Sequence, residues 1–261
     1  GYVDFSRRPQ YTDLRFPMDF GGLPNMLYKN NGNGIFTDET SKIPVLTDAS
    51  RKSMQVLFHD FNEDRYPDLF VANDTDANGF YLNRGNGTFK SFSGPSGLST
   101  TDGSMGVALG DINKDGLIDL VYTNYASEVN TLAFLIDNKS SNEGNLRNAI
   151  FVHDFNSPIL HKLTWPKISW APGLFDLDND GDLDLFFANG HLNSVSGDNR
   201  QLNQLFENNG RGEFSDISGP SGVLATGKRI HRGAIFADYD NDGMVDIFVT
   251  VNGQQVEDGK G

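Results

Sequence analysis

Four times along the chain an aspartate-rich turn runs directly into an apolar strand: DFNEDRYPDLFVAND from Asp60, DINKDGLIDLVYTNY from Asp111, DLDNDGDLDLFFANG from Asp176 and DYDNDGMVDIFVTVN from Asp238. Each copy places oxygen-bearing side chains at relative positions 1, 3, 5 and 9. Ca²⁺ takes about six to eight oxygens at about 2.3–2.6 Å, and alternate residues of a tight loop can turn their carboxylates to one centre while a backbone carbonyl fills a further place. The spacing therefore predicts about four Ca²⁺ sites. Their side-chain ligands are Asp60, Asn62, Asp64 and Asp68; Asp111, Asn113, Asp115 and Asp119; Asp176, Asp178, Asp180 and Asp184; and Asp238, Asp240, Asp242 and Asp246. The seventh-position residues Tyr66, Leu117, Asp182 and Met244 are expected to supply the backbone oxygen. Glycine follows the fifth position as Gly116, Gly181 and Gly243, where a left-handed turn brings the later ligands round; the first loop has Arg65 there, at a conformational cost.

An EF-hand begins in the same way but needs a bidentate Glu at position 12 and helices on both sides. Position 12 here is Val71, Tyr122, Phe187 and Val249, all apolar. The flanks VLFHD, VALGD and AIFAD, and the exits DLFVA, DLVYT, DLFFA and DIFVT, are rich in β-branched and aromatic residues, so the unit reads as strand, metal loop, strand. A second module alternates with it: NMLYKNNGNGIFTD from Asn25, NGFYLNRGNGTF from Asn78, a degraded NTLAFLIDN from Asn130 and NQLFENNGRGEFSD from Asn203, each a strand, an Asn/Gly turn and a strand.

One metal hairpin plus one Asn/Gly hairpin makes a four-stranded unit. Metal loops start at residues 60, 111, 176 and 238, a period a little above the roughly 40–50 residues of familiar propeller blades. The fold class expected is all-β, a β-propeller of four-stranded blades with calcium loops. Metal hairpins are placed at 54–73, 105–124, 170–189 and 232–251, within a blade region spanning 25–261, and residues 1–24 are expected to be an irregular inter-strand loop of a preceding blade. The chain opens on an Asn/Gly hairpin and closes on a metal hairpin, so about four blades are expected, in shifted frame, as part of a larger ring. VEDGKG at the end reads as a polar tail. In 139–170, KSSNEGNLRN reads as a loop and IFVHDF as a strand, while SPILHKLTWPKISW has no assigned role.

Acidic residues number 35 against 21 basic ones, a formal charge of −14. The loops' own ligand carboxylates, three in each of the first two and four in each of the last two, match that excess. Four divalent cations would bring the charge to about −6, whereas the metal-free chain would hold clusters of like charge. No basic stripe suggests a nucleic-acid surface. The absence of cysteine removes disulfides, thiolate metal sites and a Cys nucleophile. No apolar run approaches the roughly 18 residues of a membrane span, and no signal peptide is visible. An extracellular, periplasmic or cell-surface location is expected, because weak calcium modules saturate at about 10⁻⁴–10⁻³ M.

There is no G-x-S-x-G elbow, H-E-x-x-H helix or P-loop, and the obvious carboxylate pairs are committed to cations, so no enzyme is expected. Asn73, Asn124 and Asn189 recur where the second strand ends, and turn chemistry explains them. Asp74, Tyr125 and His191 sit beside these asparagines and are candidates for lining a ligand surface, together with the insertion after Gly190; His59 and His231 read as packing or turn residues.

The loops, taken with the FxNNGxGxF hairpins, resemble the FG-GAP/VCBS repeats of integrin α-like β-propellers. More narrowly, YVDFS at Tyr2, FVANDT at Phe70, FFANGH at Phe186 and RGAIFADYDNDG at Arg232 are similar to the cartilage acidic protein family and its bacterial ASPIC/UnbV-type relatives. The resemblance implies Ca²⁺ as the metal and a seven-bladed ring. The function expected is an extracellular calcium-stabilised adhesion or ligand-binding module. Its partner would be an extracellular protein or glycan, with further blades or domains of a longer chain beside it. The alternative is a carbohydrate-active propeller, either a lectin or an accessory domain of a polysaccharide lyase or hydrolase.

Overall fold

The structure is a computed structural model that describes residues 2–7, 15–47, 50–140, 146–154, 157–192 and 198–253. The strands are β1 (Tyr28–Asn30), β2 (Phe36–Asp38), β3 (Ser53–His59), β4 (Asp68–Asn73), β5 (Gly79–Asn83), β6 (Phe89–Ser91), β7 (Val107–Gly110) and β8 (Asp119–Tyr122). They continue with β9 (Thr131–Asp137), β10 (Ile150–His153), β11 (Ser169–Phe175), β12 (Asp184–Asn189), β13 (Gln204–Asn208), β14 (Phe214–Asp216), β15 (His231–Ala237) and β16 (Asp246–Val251). Among the described residues, consecutive strands neighbour one another in three four-stranded sheets, β3–β6, β7–β10 and β11–β14, and in two two-stranded ones, β1–β2 and β15–β16. The fold is therefore all-β and built from antiparallel meanders of the kind that make propeller blades. By contacts the chain divides into two compact units, residues 1–107 with 133–153, and residues 108–132 with 154–261.

In the first unit β4 is buried along its whole length, because LFVA is covered on both faces; β3 on one side and β5 on the other satisfy its backbone. Phe61, Phe80 and Phe151 pack edge to face at 5.5–5.8 Å, the offset geometry that aromatic quadrupoles favour. Ile43 and Leu46, from short 3-10 turns, close over Leu69, Val71 and Tyr81. In the second unit β8 and β12 are buried along their whole lengths, and Phe186, Ala188, Leu205 and Phe175 form a core on which Phe236, Ile247 and Val249 pack.

The β3–β4, β11–β12 and β15–β16 hairpins share one irregularity. Their first strands bulge between Ser53 and Gln55, Ser169 and Ala171, and His231 and Ala234. A bulge adds twist and re-aims the side chains beyond it.

Two stretches differ from the sequence reading. The strands after Asn130 form no tight Asn/Gly turn: β9 pairs with β10 across the longer segment between Asp137 and Ile150, with a register shift at Ile150. SPILHKLTWP holds an α-helix, Pro158–Thr164, here α1 of the second unit, with proline in its first turn and Pro166 just past its end. The final tail, part of 1–24, and the insertion's residues 193–197 lie outside the described residues.

Candidate metal centre

Each loop is built by one repeated set of hydrogen bonds. The first-position Asp accepts the amides of positions 5 and 6, as in Asp64 and Arg65 to Asp60 (3.0 and 2.8 Å) and Asp180 and Gly181 to Asp176 (3.1 and 3.0 Å). Asp111 and Asp238 do the same. The fifth-position Asp accepts the amide of position 7: Tyr66 to Asp64, Leu117 to Asp115, Asp182 to Asp180 and Met244 to Asp242, at 2.8–2.9 Å. The ninth-position Asp accepts the amide of position 2, from Phe61, Ile112, Leu177 and Tyr239. Position 6 takes positive φ in all four loops: Arg65 at 77°, Gly116 at 85°, Gly181 at 87° and Gly243 at 90°.

This folding brings carboxylates together. Asp176, Asp178 and Asp184 each offer an oxygen within 4.8 Å of the others, and so do Asp238, Asp240 and Asp246. The fifth-position Asp180 and Asp242 stand outside these trios, each with one oxygen on the position-7 amide. In the first two loops the third-position donor is an amide instead: Asn62 Nδ2 donates to Asp64 at 3.1 Å and Asn113 Nδ2 to Asp115 at 2.9 Å. Among the seventh-position residues, the Asp182 carboxylate meets Lys114 Nζ, and the sulfur of Met244 receives Asn179 Nδ2 at 3.1 Å.

The donor set fits a hard cation, since it consists of oxygens alone and its carboxylates are uncomfortable without one. Burial, against the opposing amide of Asn83, pushes the Asp68 carboxyl up to about 7, with the charges of Asp64 and Asp60 adding to the rise. Burial likewise raises Asp184, with Asp178 and Asp180 contributing. Like charges held close disfavour ionisation unless a cation intervenes.

The far ends of the strands carry the second group of candidates. Asn73, Asn124 and Asn189 are fully buried, and each closes the loop that follows it: Nδ2 donates to Ala77, Val129 and Leu202, and the backbone amide donates to Asn78, Asn130 and Asn203. They are structural locks, in keeping with turn chemistry. Asp74 is a correction: it is buried, and the Tyr2 hydroxyl donates to its carboxylate, so it does not line an open ligand surface. Tyr125 and His191 do come together, edge to face at 5.7 Å. Burial and the nearby Arg232 lower the His191 pKa. His231 is buried and its Nδ1 lies 3.0 Å from the Asn189 carbonyl.

Sequence reading missed the amides of Asn83 and Asn208, each donating to the ninth-position carboxylate of its own sheet at 2.9 Å. The signal was present, since both asparagines end the first strand of an Asn/Gly hairpin. It also missed Arg232 stacked over Trp170, which no local pattern announces.

Sheets of four antiparallel strands, each entered through an acidic loop hairpin, define a repeat protein of blade-like units. The chain belongs to the FG-GAP-like repeat family, whose pattern matches residues 60–122 and 176–249. It is 28% identical over 184 residues to cartilage acidic protein 1 of Homo sapiens, covering 70% of this chain and 26% of that protein. The Xenopus tropicalis protein of the same name is 28% identical over 188 residues with the same coverage. The chain thus spans about a quarter of the length of these relatives. Among solved structures, one on the recognition of non-reducing terminal N-acetylglucosamine by an Agrocybe aegerita lectin aligns with a TM-score of 0.37 and 15% identity, over 88% of this chain and 70% of that one. A likeness at that level carries no functional argument. Among the described residues no helix is long and apolar enough to cross a membrane.

Proposed function

We propose that the chain is the calcium-stabilised part of an extracellular β-propeller, with its blades belonging to a seven-bladed ring, and that it serves as a non-catalytic ligand-binding or adhesion module. The observation that carries this reading is the convergence of the first-, third- and ninth-position carboxylates in the loops from Asp176 and Asp238. The ion would be held there by those carboxylates, by Asp180 and Asp242, and by the carbonyls of Asp182 and Met244. In the other two loops Asn62 and Asn113 replace one carboxylate. The metal supplies positive charge to a crowded anionic turn, and the protein's part is to hold the turn in one conformation. Ligands drawn from a single closed loop favour a structural role over a catalytic one, which keeps an open coordination place. The partner is an extracellular protein or glycan, held by the loops at the strand ends remote from the metal.

Metal analysis after dialysis against calcium buffer should find about four Ca²⁺ per chain, with Mg²⁺ competing poorly because it demands tight octahedral geometry and keeps its waters. Chelation should lower the melting temperature, since a ligand that binds only the folded state stabilises it by about 2.7 kcal/mol at a hundredfold excess over Kd. Zinc as the metal found, or a melting temperature indifferent to chelator, would overturn the reading.

A further inference from the structure

The unit formed by residues 108–132 and 154–261 carries an organised surface at the strand ends remote from its acidic loops. The Arg232 guanidinium lies over the Trp170 ring, 4.3 Å from its centroid. Arg232 Nη1 donates to the carbonyls of His231 and Gly190, at 2.7 and 3.0 Å, and Trp170 Nε1 donates to the same Gly190 carbonyl at 2.7 Å. His191, the next residue, packs edge-on against Tyr125, which is 36% exposed. Trp165 caps helix α1, is 52% exposed, and accepts the Ser127 amide at 2.7 Å through its carbonyl, which ties it to the loop of Tyr125.

Cationic side chains gather at this end of the unit. With a formal charge of −14 overall, Arg232 has no carboxylate partner among the described residues, and burial alone lowers its pKa. Lys167 is lowered by burial and then by the charge of Lys228. His231 is lowered chiefly by burial, with Arg229 and Arg232 both contributing. Arg229 and Arg232 thus both bear on His231, and Lys228 on Lys167; Asp198 stands near Lys228 and Glu128 accepts the Tyr125 amide at 3.1 Å, but Arg232 makes a hydrogen bond to neither acid, so an anion there would meet an unneutralised guanidinium.

We propose that this surface binds a carboxylated saccharide, with Arg232 taking the carboxylate and the exposed rings of Tyr125 and Trp165 taking the pyranose faces. The proposal rests on the reading of the chain as a binding module and names its ligand class. Nη1 is occupied by two backbone carbonyls, so the guanidinium edge formed by Nε and Nη2 is left with no hydrogen bond among the described residues. That edge is a planar fork matched to two carboxylate oxygens, and stacking on Trp170 fixes its plane. The C–H groups of a pyranose lie flat against the negative face of an aromatic ring, which an aliphatic acidic peptide cannot imitate. A densely charged polyanion is opposed by the net charge of the whole chain, so the ligand is one that presents isolated carboxylates.

Both tryptophans of the chain, Trp165 and Trp170, lie in this surface, so intrinsic fluorescence reports on it directly. The full chain in saturating calcium is titrated with trigalacturonic acid, sialyllactose, neutral lactose, a sulfated heparin trisaccharide and pentaglutamate. A uronic or sialic probe should give a saturable change at least tenfold tighter than lactose and pentaglutamate, and which of the two responds separates the sources of the carboxylate. Arg232→Gln should weaken it tenfold or more, and Tyr125→Ala, at an exposed position, should weaken it without lowering the melting temperature. Equal binding of lactose, of pentaglutamate or of the sulfated trisaccharide would overturn the proposal. So would indifference to both substitutions, or no response to either carboxylated probe. The calcium-dependent melting shift, read on the same samples, tests the module itself: if it persists where the saccharide response fails, only the ligand assignment falls.

Discussion

Asn208 donates its backbone amide to Asp184 Oδ1 at 2.9 Å, while Leu177 donates to Asp184 Oδ2 at 2.8 Å. One buried carboxylate thus joins the acidic loop to the third strand of its sheet, and Asp68 does the same with Asn83 and Phe61. The acidic loop and the sheet therefore form one cooperative element.

From this follows the behaviour of Asp184→Asn. The amide oxygen can still accept one of the two N–H groups, but the charge that a cation needs is gone. In calcium buffer the variant should lose about one bound ion and about 2.7 kcal/mol of stability, the value of a site filled at a hundredfold excess over Kd. In chelator the order should narrow or reverse, because burial disfavours the native carboxylate when no cation is present. Calorimetric melting of both proteins in both buffers checks it.

Position 6 offers a backbone test. Arg65 holds φ 77° where its counterparts are glycines, and left-handed backbone costs a side-chain-bearing residue about 1–2 kcal/mol. Part of that is regained by the unfolded chain when glycine is introduced, so Arg65→Gly should stabilise by somewhat less than about 1 kcal/mol. Gly116 lies at φ 85° with open space where a Cβ would stand, no atom coming within 4 Å of that point. Gly116→Ala therefore carries only the conformational cost and should destabilise by about 1 kcal/mol. Urea denaturation at fixed calcium distinguishes these signs.

The sequence made the repeats legible because two short-range rules coincide in them: oxygen donors at alternate positions, and a glycine where the backbone turns left-handed. Hairpins β3–β4, β11–β12 and β15–β16 follow from those rules together with the apolar runs LFVA, LFFA and IFVT. What stayed illegible depends on partners far along the chain. Asp74 looks like a free acid on a loop until Tyr2, 72 residues away, is placed on it. Arg232 looks like one more charged strand residue until the Trp170 ring and the Gly190 carbonyl fix its plane. Helix α1 escaped because a single two-turn helix is too short to establish a period, although Pro158 and Pro166 bracket it.

The buried asparagine locks predict a loss of stability separable from the metal. Asn124 is fully buried, and its Nδ2 donates to Val129 at 2.6 Å while its amide donates to the Asn130 side chain at 2.8 Å. Asn124→Ala leaves the Val129 carbonyl without that donor, which should cost about 1–3 kcal/mol. Calcium content should stay unchanged, because the lock stands at the opposite end of β8 from Asp119. A parallel loss of one ion would show that the two ends are coupled.

His231 predicts how stability responds to pH. Its ring is buried and its pKa is lowered from 6.5, chiefly by burial, although backbone hydrogen bonds to Asn189, 3.0 Å from Nδ1, and to Gln201 oppose the shift. Below pH 6.5 the unfolded chain takes up a proton that the folded one resists, so the folded state binds fewer protons and stability falls with acidification. The contribution is complete above the unfolded value and is lost as pH drops from about 6.5 toward the depressed folded value. His231→Gln retains a side-chain donor for the Asn189 carbonyl but cannot titrate. At about pH 7.5 the variant should be the less stable protein, by about 1 kcal/mol for an imperfectly fitted hydrogen bond. At about pH 5 the gap should close, because only the wild type carries the protonation penalty. Melting temperatures of the two proteins across that range, at constant saturating calcium, make the comparison, and a gap that does not change with pH would exclude His231 as the titrating group.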